Sequence, residues 1–157
     1  MAATPVPQFR ELDMAEIERV LGRNQVGRLA YCNRGWADIE PIHYVYADGW
    51  IWGRTAPGMK LASIAENYHV AFEVDEIDSL FQWRSVVLRG VFHRLSPTGS
   101  AETAGAWERA VELMRRLIPE TLTPEDPVPF RWVFFRIGIE EIRGRAAQPT
   151  PTEDRGR

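Results

Sequence analysis

The chain has 157 residues, 45% of them apolar and six of them tryptophan, which predicts a single globular domain with a substantial core. The net charge of −3 and the pI near 5.7 argue against nucleic acid or an anionic membrane as a partner. Cys32 is the only cysteine, the N-terminus lacks a signal-peptide pattern, and no apolar run approaches the roughly 18 residues of a membrane span. We therefore expect a soluble, cytoplasmic protein without a metal site.

The first half of the chain predicts one helix followed by strands. Asp13 and Glu16 have the spacing of a capping box, and apolar residues at helical intervals extend the helix over 14–23. Asp48-Gly49 predicts the tight turn of a hairpin, because glycine tolerates a positive φ. Alternating apolar, β-branched and aromatic residues predict strands at 26–33, 36–47 and 50–55.

The second half of the chain adds two helices and three strands. Apolar spacing predicts helices at 58–67 and 101–118, and strands are predicted at 69–76, 83–95 and 130–142. About six strands with few long crossovers favour a mainly β fold with flanking helices, closed into a small antiparallel barrel. The predicted organisation is an N-terminal arm at 1–10, a folded domain at 11–143 and a disordered tail at 144–157.

The stretch "RTAPGMK", residues 54–60, lies between the end of a predicted strand and the start of a predicted helix. A helix that begins at Gly58 leaves backbone N–H groups unpaired at its positive end, which suits an anion. Thr55 adds a hydroxyl donor, Arg54 a planar guanidinium and Lys60 a mobile ammonium, as a phosphate would require. An ordinary strand-to-helix turn with solvated charges has the same composition, so the residues alone leave both interpretations open.

A second candidate stretch is "PIHYVY", residues 41–46. Pro41 cannot donate to a sheet ladder and predicts an edge or a bulge, where backbone groups are free to face a ligand. The alternation places Ile42 with Tyr44 on one face and His43 on the other. A flat heteroaromatic ligand fits such a strand, and so does an ordinary half-buried strand with a structural histidine.

A third candidate stretch is "WRSVVLRG", residues 83–90. Trp83 and Ser85 share one face and offer a stacking wall with a hydroxyl donor, whereas Arg84 and Val86 lie on the other face. Core packing explains the apolar residues equally well. The carboxylates of "FEVDEID", residues 72–78, are expected at a solvated strand end, because they lack the spacing of a calcium loop.

Taken in order, "VGRLAYCN", "PIHYVYADGWIWGRTAPGMKLASIAEN", "HVAFEVDE" and "WRSVVLRGVFHRL" resemble the flavin-nucleotide-binding split barrels of the pyridoxamine 5'-phosphate oxidase-like superfamily. The resemblance covers roughly residues 11–143 and is strongest to the short, nitroimidazole-resistance-type subgroup. It implies a six-stranded, mainly antiparallel split barrel and a homodimer with FMN at each subunit interface. It also implies oxidoreductase activity, in which the flavin passes hydride or electrons from a reductant to a small acceptor.

The resemblance also implies roles for individual residues. Lys60 is the expected cation on the FMN phosphate, the turn with Gly58 and Met59 is expected to grip the same phosphate, and Arg54 and Thr55 are expected beside the phosphate or the ribityl chain. The backbone of Pro41, Ile42 and His43 is expected along the isoalloxazine ring, and Trp83, Ser85, Arg84 and Val86 are expected to close the site from either subunit. No catalytic residue is implied.

Two departures from the family pattern limit what the resemblance implies. The C-terminal "RWVFFRIGIEEIRGR" does not reproduce the arginine-rich segment that holds pyridoxamine phosphate, so that substrate is not expected. Nitroimidazole-resistance-type members often have a histidine just before the "TAPG" turn, where this chain has Arg54. A deazaflavin-dependent reductase of the same fold and a non-catalytic flavin carrier or sensor are therefore the alternatives.

Overall fold

The structure, a computed structural model, describes residues 6–150 except for the side chain of Met59. The described residues form three helices and eight strands. The helices are α1 (Met14–Arg23), α2 (Met59–Glu66) and α3 (Ala101–Leu117). The strands are β1 (Pro7–Glu11), β2 (Val26–Asn33), β3 (Trp36–His43), β4 (Val45–Ala47), β5 (Trp50–Thr55), β6 (His69–Ser79), β7 (Gln82–Arg94) and β8 (Val133–Pro149).

All strand pairs are antiparallel, in the order β3-β2-β6-β7-β8-β5-β4, with β1 added along the end of β8. The predicted mainly β split barrel with flanking helices is confirmed. The described residues contain eight strands rather than the predicted six because β1 was not expected and Tyr44 divides one predicted strand into β3 and β4. Tyr44 is buried, its N–H donates to the Gln25 carbonyl at 2.9 Å, and its hydroxyl donates to the Leu21 carbonyl at 2.7 Å.

The predicted boundary at residue 143 is wrong. Residues 144–149 continue β8, and Glu11 to Pro7 pair with Arg145 to Pro149. Ala146 and Ala147 are buried, although the composition of this stretch suggested little to bury. The long β7 strand provides hydrogen-bonding partners on one side and β1 on the other, so backbone pairing orders this segment. Residues 151–157 lie outside the described part of the chain.

Two apolar cores lie on the two faces of the sheet. The barrel interior is filled by alternate side chains of its strands, including Leu29, Phe72, Leu88 and Phe135, and α1 contributes to it. The Asp13–Glu16 capping box that was predicted for α1 is present. On the outer face, α3 packs against β5 and β8 in a second core made of Trp52, Leu95, Ala106, Ala110, Val111, Leu113, Met114 and Phe134. No helix within residues 6–150 is long and apolar enough to cross a membrane.

A buried ion pair fixes the loop of residues 118–132, between α3 and β8, to the end of β5. The Arg54 guanidinium donates two hydrogen bonds to the Asp126 carboxylate, at 2.7 and 2.9 Å. The Arg54 and Asp126 side chains are only 5% and 1% exposed. Asp126 also accepts hydrogen bonds from the N–H groups of Leu122 and Val128, at 2.9 and 3.0 Å. The hydrogen bonds from Arg54, together with these two, hold the pKa of Asp126 well below its ordinary value.

Asp126→Asn should destabilise the protein strongly, because it leaves the Arg54 cation buried without a counter-charge. The expected loss of unfolding free energy in urea denaturation is about 3–5 kcal/mol. Asp48→Asn is the matched control, because the Asp48–Arg109 pair is exposed and should contribute little. An equal, small loss for both variants would contradict the structural importance of the buried pair.

Candidate functional site

A cavity of about 220 Å³ lies where β3 and β5 end, where α2 begins and where the 118–132 loop returns. Six of the residues predicted for the site line it: Pro41, Ile42, His43, Arg54, Thr55 and Lys60. The Ile42 side chain is buried in the barrel core, as the alternation predicted, so Ile42 offers its backbone to the cavity. Gly58 and Met59 lie at the first turn of α2, next to Lys60 in the chain; the Met59 side chain lies outside the described part.

The start of α2 has the features of an anion cradle. Gly58 occupies the cap position, no side chain caps the helix, and its first turn carries no acidic residue. The first helical hydrogen bond within the segment runs from the Ala62 N–H to the Gly58 carbonyl, at 3.2 Å. The N–H groups before Ala62 therefore have no carbonyl of the preceding helical turn to bond. Together with the positive end of the helix dipole, they favour an anionic ligand.

The three cations that line this cavity differ in their partners. Arg54 lines the cavity and is engaged by Asp126, so it supports the cavity wall and its charge is neutralised there. Lys60 forms an ion pair with Glu40, whose side chain is 36% exposed. Arg131 forms no ion pair with a carboxylate of residues 6–150 and lies over the Phe130 ring, 5.7 Å from its centroid.

Four cavity residues were missed from the sequence: Glu40, Ala56, Phe130 and Arg131. Glu40 immediately precedes the "PIH" stretch, and its charge next to Pro41 was a usable signal. Phe130 and Arg131 lie about seventy residues after Lys60 and carry no motif. Only the fold brings them to this cavity.

Trp83 and Ser85 line a different cleft, of about 350 Å³, on the outer surface of β7 and β8. Its other lining residues are Glu11, Val87, Arg143, Gly144 and Arg145. Arg84 and Val86 point to the opposite face of β7, as the alternation predicted. Val86 is 1% exposed in the barrel core, and Arg84 lies 4.0 Å from Glu76. The side chains of Arg84 and Val86 are therefore separated from those of Trp83 and Ser85.

The cavity and the cleft are connected by one row of residues on the outside of the barrel. In the strand registers, Pro41 lies opposite Arg28, Arg28 opposite Glu73, Glu73 opposite Val87, and Val87 opposite Arg143. Neighbouring strands are about 4.8 Å apart, so three strand spacings place Pro41 roughly 14 Å from Val87 across this surface. A flat ligand that starts at the cavity can therefore extend along the sheet toward the cleft.

The mainly antiparallel split barrel, with an uncapped start of α2 beside the cavity, places the chain in a class of small split-barrel domains. Residues 13–146 match the family described as pyridoxamine 5'-phosphate oxidase. Because the match spans most of the chain, the protein belongs to this family, and the resemblance recognised in the sequence is confirmed.

Individual relatives agree with this membership. The chain is similar to a solved FAD-binding protein from Mesorhizobium loti, with 29% identity and a TM-score of 0.72 over 89% of this chain and 99% of the other. It is also similar to a solved FAD-binding protein from Mycobacterium smegmatis, with 27% identity and a TM-score of 0.62 over 88% and 98% of the two chains. An uncharacterised protein of Rhizobium meliloti (strain 1021) is 28% identical over 143 residues, 88% of this chain and 95% of its own length.

Glu73, at the centre of the outer row, is the most perturbed carboxyl on this surface. Partial burial of Glu73 and the neighbouring Asp75 carboxylate raise the pKa of Glu73 to about 7. Arg28 lies 3.3 Å from Asp75 and 3.9 Å from Glu73, and the Ser85 hydroxyl donates to Glu73 at 3.4 Å. Ser85 thus links this carboxyl to the cleft, although the acidic stretch was predicted to be simply solvated.

Glu73→Gln should stabilise the protein increasingly as the pH rises. Because the pKa of Glu73 is about 7 in the folded state and 4.5 ordinarily, its protonation stabilises the folded parent at low pH. The parent loses this stabilisation as the pH rises from about 4.5 to about 7. The amide variant has no such proton to lose. The stability difference between variant and parent, measured by urea unfolding, should grow between about pH 5 and pH 8.

Glu76→Gln is the control of opposite sign. The hydrogen bonds from Arg23 lower the pKa of Glu76, so its contribution is fully present above the ordinary value of 4.5 and is lost only in acid. This variant should be destabilised equally at about pH 6 and pH 8. A Glu73→Gln difference that is equally flat over this range would show that Glu73 has no raised pKa.

Proposed function

We propose that the protein is a flavin-binding oxidoreductase that holds the flavin phosphate in the cradle at the start of α2. The observation that carries this proposal is that Thr55 and Lys60 line one cavity beside the uncapped start of α2. Two similar solved proteins, from Mesorhizobium loti and Mycobacterium smegmatis, are named as FAD-binding. FMN was expected from the sequence, and FAD contains the same mononucleotide portion, so the cradle suits either one.

Each residue of the cavity has a proposed role in this binding. Lys60 contributes the charge on the phosphate, and Thr55 a hydroxyl donor beside it. The backbone of Pro41 to His43 runs along the isoalloxazine ring, on the solvent-facing side of β3. Glu40 opposes binding, since a phosphate has to compete with its carboxylate for Lys60. Arg54 keeps the cavity wall in place through Asp126.

The proposal includes a homodimer in which a second subunit covers the flavin. A cavity of about 220 Å³ is smaller than the roughly 300–1,000 Å³ of a typical ligand pocket, so further walls are needed. The β3 edge strand exposes Trp36 and Ile39, at 78% and 67%, and an exposed apolar edge is a surface that proteins normally cover. Trp83 and Ser85 of either subunit then close the site.

When bound, the flavin supplies transfer of hydride or electrons from a reductant to a small acceptor. The chain contributes the phosphate grip, the orientation of the ring along β3 and protection from water. We place this chemistry in the cytoplasm, where Cys32 remains a free thiol. Reduction of the bound flavin and its reoxidation by a quinone or nitro acceptor would distinguish this activity from a carrier or sensor without turnover.

Lys60→Ala and Glu40→Gln should change flavin affinity in opposite directions. Loss of the Lys60 ammonium removes a charge-assisted hydrogen bond of about 1.5–3 kcal/mol, which raises the Kd for flavin by about tenfold or more. Removal of the Glu40 charge frees Lys60 for the phosphate and should tighten binding. Kd values from titration of flavin fluorescence measure both effects.

Arg89→Ala is the control for these variants, because Arg89 is exposed on β7 and lines neither the cavity nor the cleft. Its Kd for flavin should equal that of the parent. If Lys60→Ala also binds flavin as tightly as the parent, the cradle does not hold the phosphate. In that case the proposed mode of binding is wrong.

A further inference from the structure

The 118–132 loop brings an exposed aromatic ring and an arginine to the same cavity as Lys60. Phe130 and Arg131 both line the cavity, and the Phe130 side chain is 56% exposed. The Arg131 guanidinium lies over the Phe130 ring, 5.7 Å from its centroid. Nothing in the barrel requires this arrangement, because neither residue belongs to either apolar core.

The backbone that carries these two residues is held in place before any ligand binds. Asp126 accepts four hydrogen bonds, two of them from Arg54 on β5 and two from loop N–H groups. The Arg131 N–H donates to the Val128 carbonyl at 3.0 Å, which continues the ordered backbone to the cavity. A preorganised loop loses less entropy on binding than a flexible one, so contacts made by Phe130 and Arg131 contribute fully to affinity.

Of the three cations described above for this cavity, only Arg131 has no carboxylate partner among residues 6–150. Arg54 is neutralised by Asp126, and Lys60 is shared with Glu40. A single phosphate is accommodated by Lys60 and the start of α2. Arg131 therefore has the capacity to bind a second phosphate further along the ligand.

The aromatic ring narrows the chemical class of this ligand. An exposed phenylalanine next to an arginine is a surface on which a nucleobase stacks, since every base has a π face. FMN ends at its phosphate, has no second phosphate for Arg131, and its one flat ring is the isoalloxazine that the proposed function places along β3. A deazaflavin with an acidic tail could engage Arg131 but gives Phe130 no base. A flavin joined to adenosine through a diphosphate has both groups.

We infer that Phe130 and Arg131 form an adenosine diphosphate subsite, which makes the protein select FAD over FMN. This inference rests on the proposed function, because it assumes that the flavin mononucleotide portion occupies the cradle at α2. Arg131 binds the outer phosphate, and Phe130 stacks on the adenine ring. Selectivity for the dinucleotide is then encoded in a loop that lies about seventy residues after the cradle.

The test compares FAD and FMN on the full-length protein after removal of any flavin retained during purification. Kd values are measured for both nucleotides by titration of flavin fluorescence. Phe130→Ala and Arg131→Ala should each raise the Kd for FAD about tenfold, the order of a lost stacking or charge-assisted contact. The Kd for FMN should stay within about twofold of the parent value, since FMN does not reach this loop.

Two controls separate the subsite from general damage to the loop. Trp132→Ala removes an exposed aromatic ring from the neighbouring position, which does not line the cavity, and should leave both Kd values unchanged. Phe130→Leu keeps apolar bulk without a flat ring and should lose FAD affinity while the protein remains folded by circular dichroism. Arg89→Ala controls for loss of a surface charge.

Distinct results overturn the inference and the proposed function. If the parent binds FAD no more tightly than FMN, the subsite does not exist. The same conclusion follows if the Phe130 and Arg131 variants leave the Kd for FAD unchanged or raise both Kd values equally, although flavin binding at the cradle would then stand. If the parent binds neither nucleotide, the proposed function itself is wrong, and the inference fails with it.

Discussion

The buried ion pair between Arg54 and Asp126 is the interaction on which the site depends. Moving two charges out of water is costly, and the cost is offset here because the carboxylate also accepts two backbone N–H bonds from its own loop. The pair joins the end of strand β5 to the 118–132 loop, two segments that are far apart in the chain. It therefore determines the position of the loop relative to Thr55, which follows Arg54, and relative to the start of α2.

The rest of the candidate site follows from strand order and alternation. Because β3, β2, β6 and β7 are neighbours, Pro41, Arg28, Glu73 and Val87 form a continuous row on the outer surface. The barrel interior needs the alternate residues for its core, so the outer residues are available for a ligand. An uncapped helix start lies at one end of this surface and a cleft at the other. The raised pKa of Glu73 makes this surface sensitive to pH, and the Glu40 carboxylate beside Lys60 makes it sensitive to charged ligands.

Features governed by local sequence were predicted well. The Asp13–Glu16 capping box and the hairpin at Asp48-Gly49, where both residues have positive φ, depend on residues within one turn of each other. The grouping of Lys60 and Thr55 with Pro41 on one cavity came from the family resemblance. The partner of Arg54 could not be predicted, because Asp126 lies 72 residues away in a loop without a motif. The strand conformation of residues 144–149 was also missed, since it comes from backbone pairing with β1 and β7 rather than from a side-chain pattern.

The decisive measurement is the identification of the cofactor in freshly purified protein. An absorption spectrum of the native protein, followed by mass spectrometry of the small molecules released by heat, detects and identifies a bound flavin. We expect a yellow protein that releases a flavin nucleotide and, after its removal, binds the same nucleotide again. A colourless protein that also fails to bind added FAD, FMN or deazaflavin would contradict this expectation, and the "RTAPGMK" segment would then be an ordinary strand-to-helix turn.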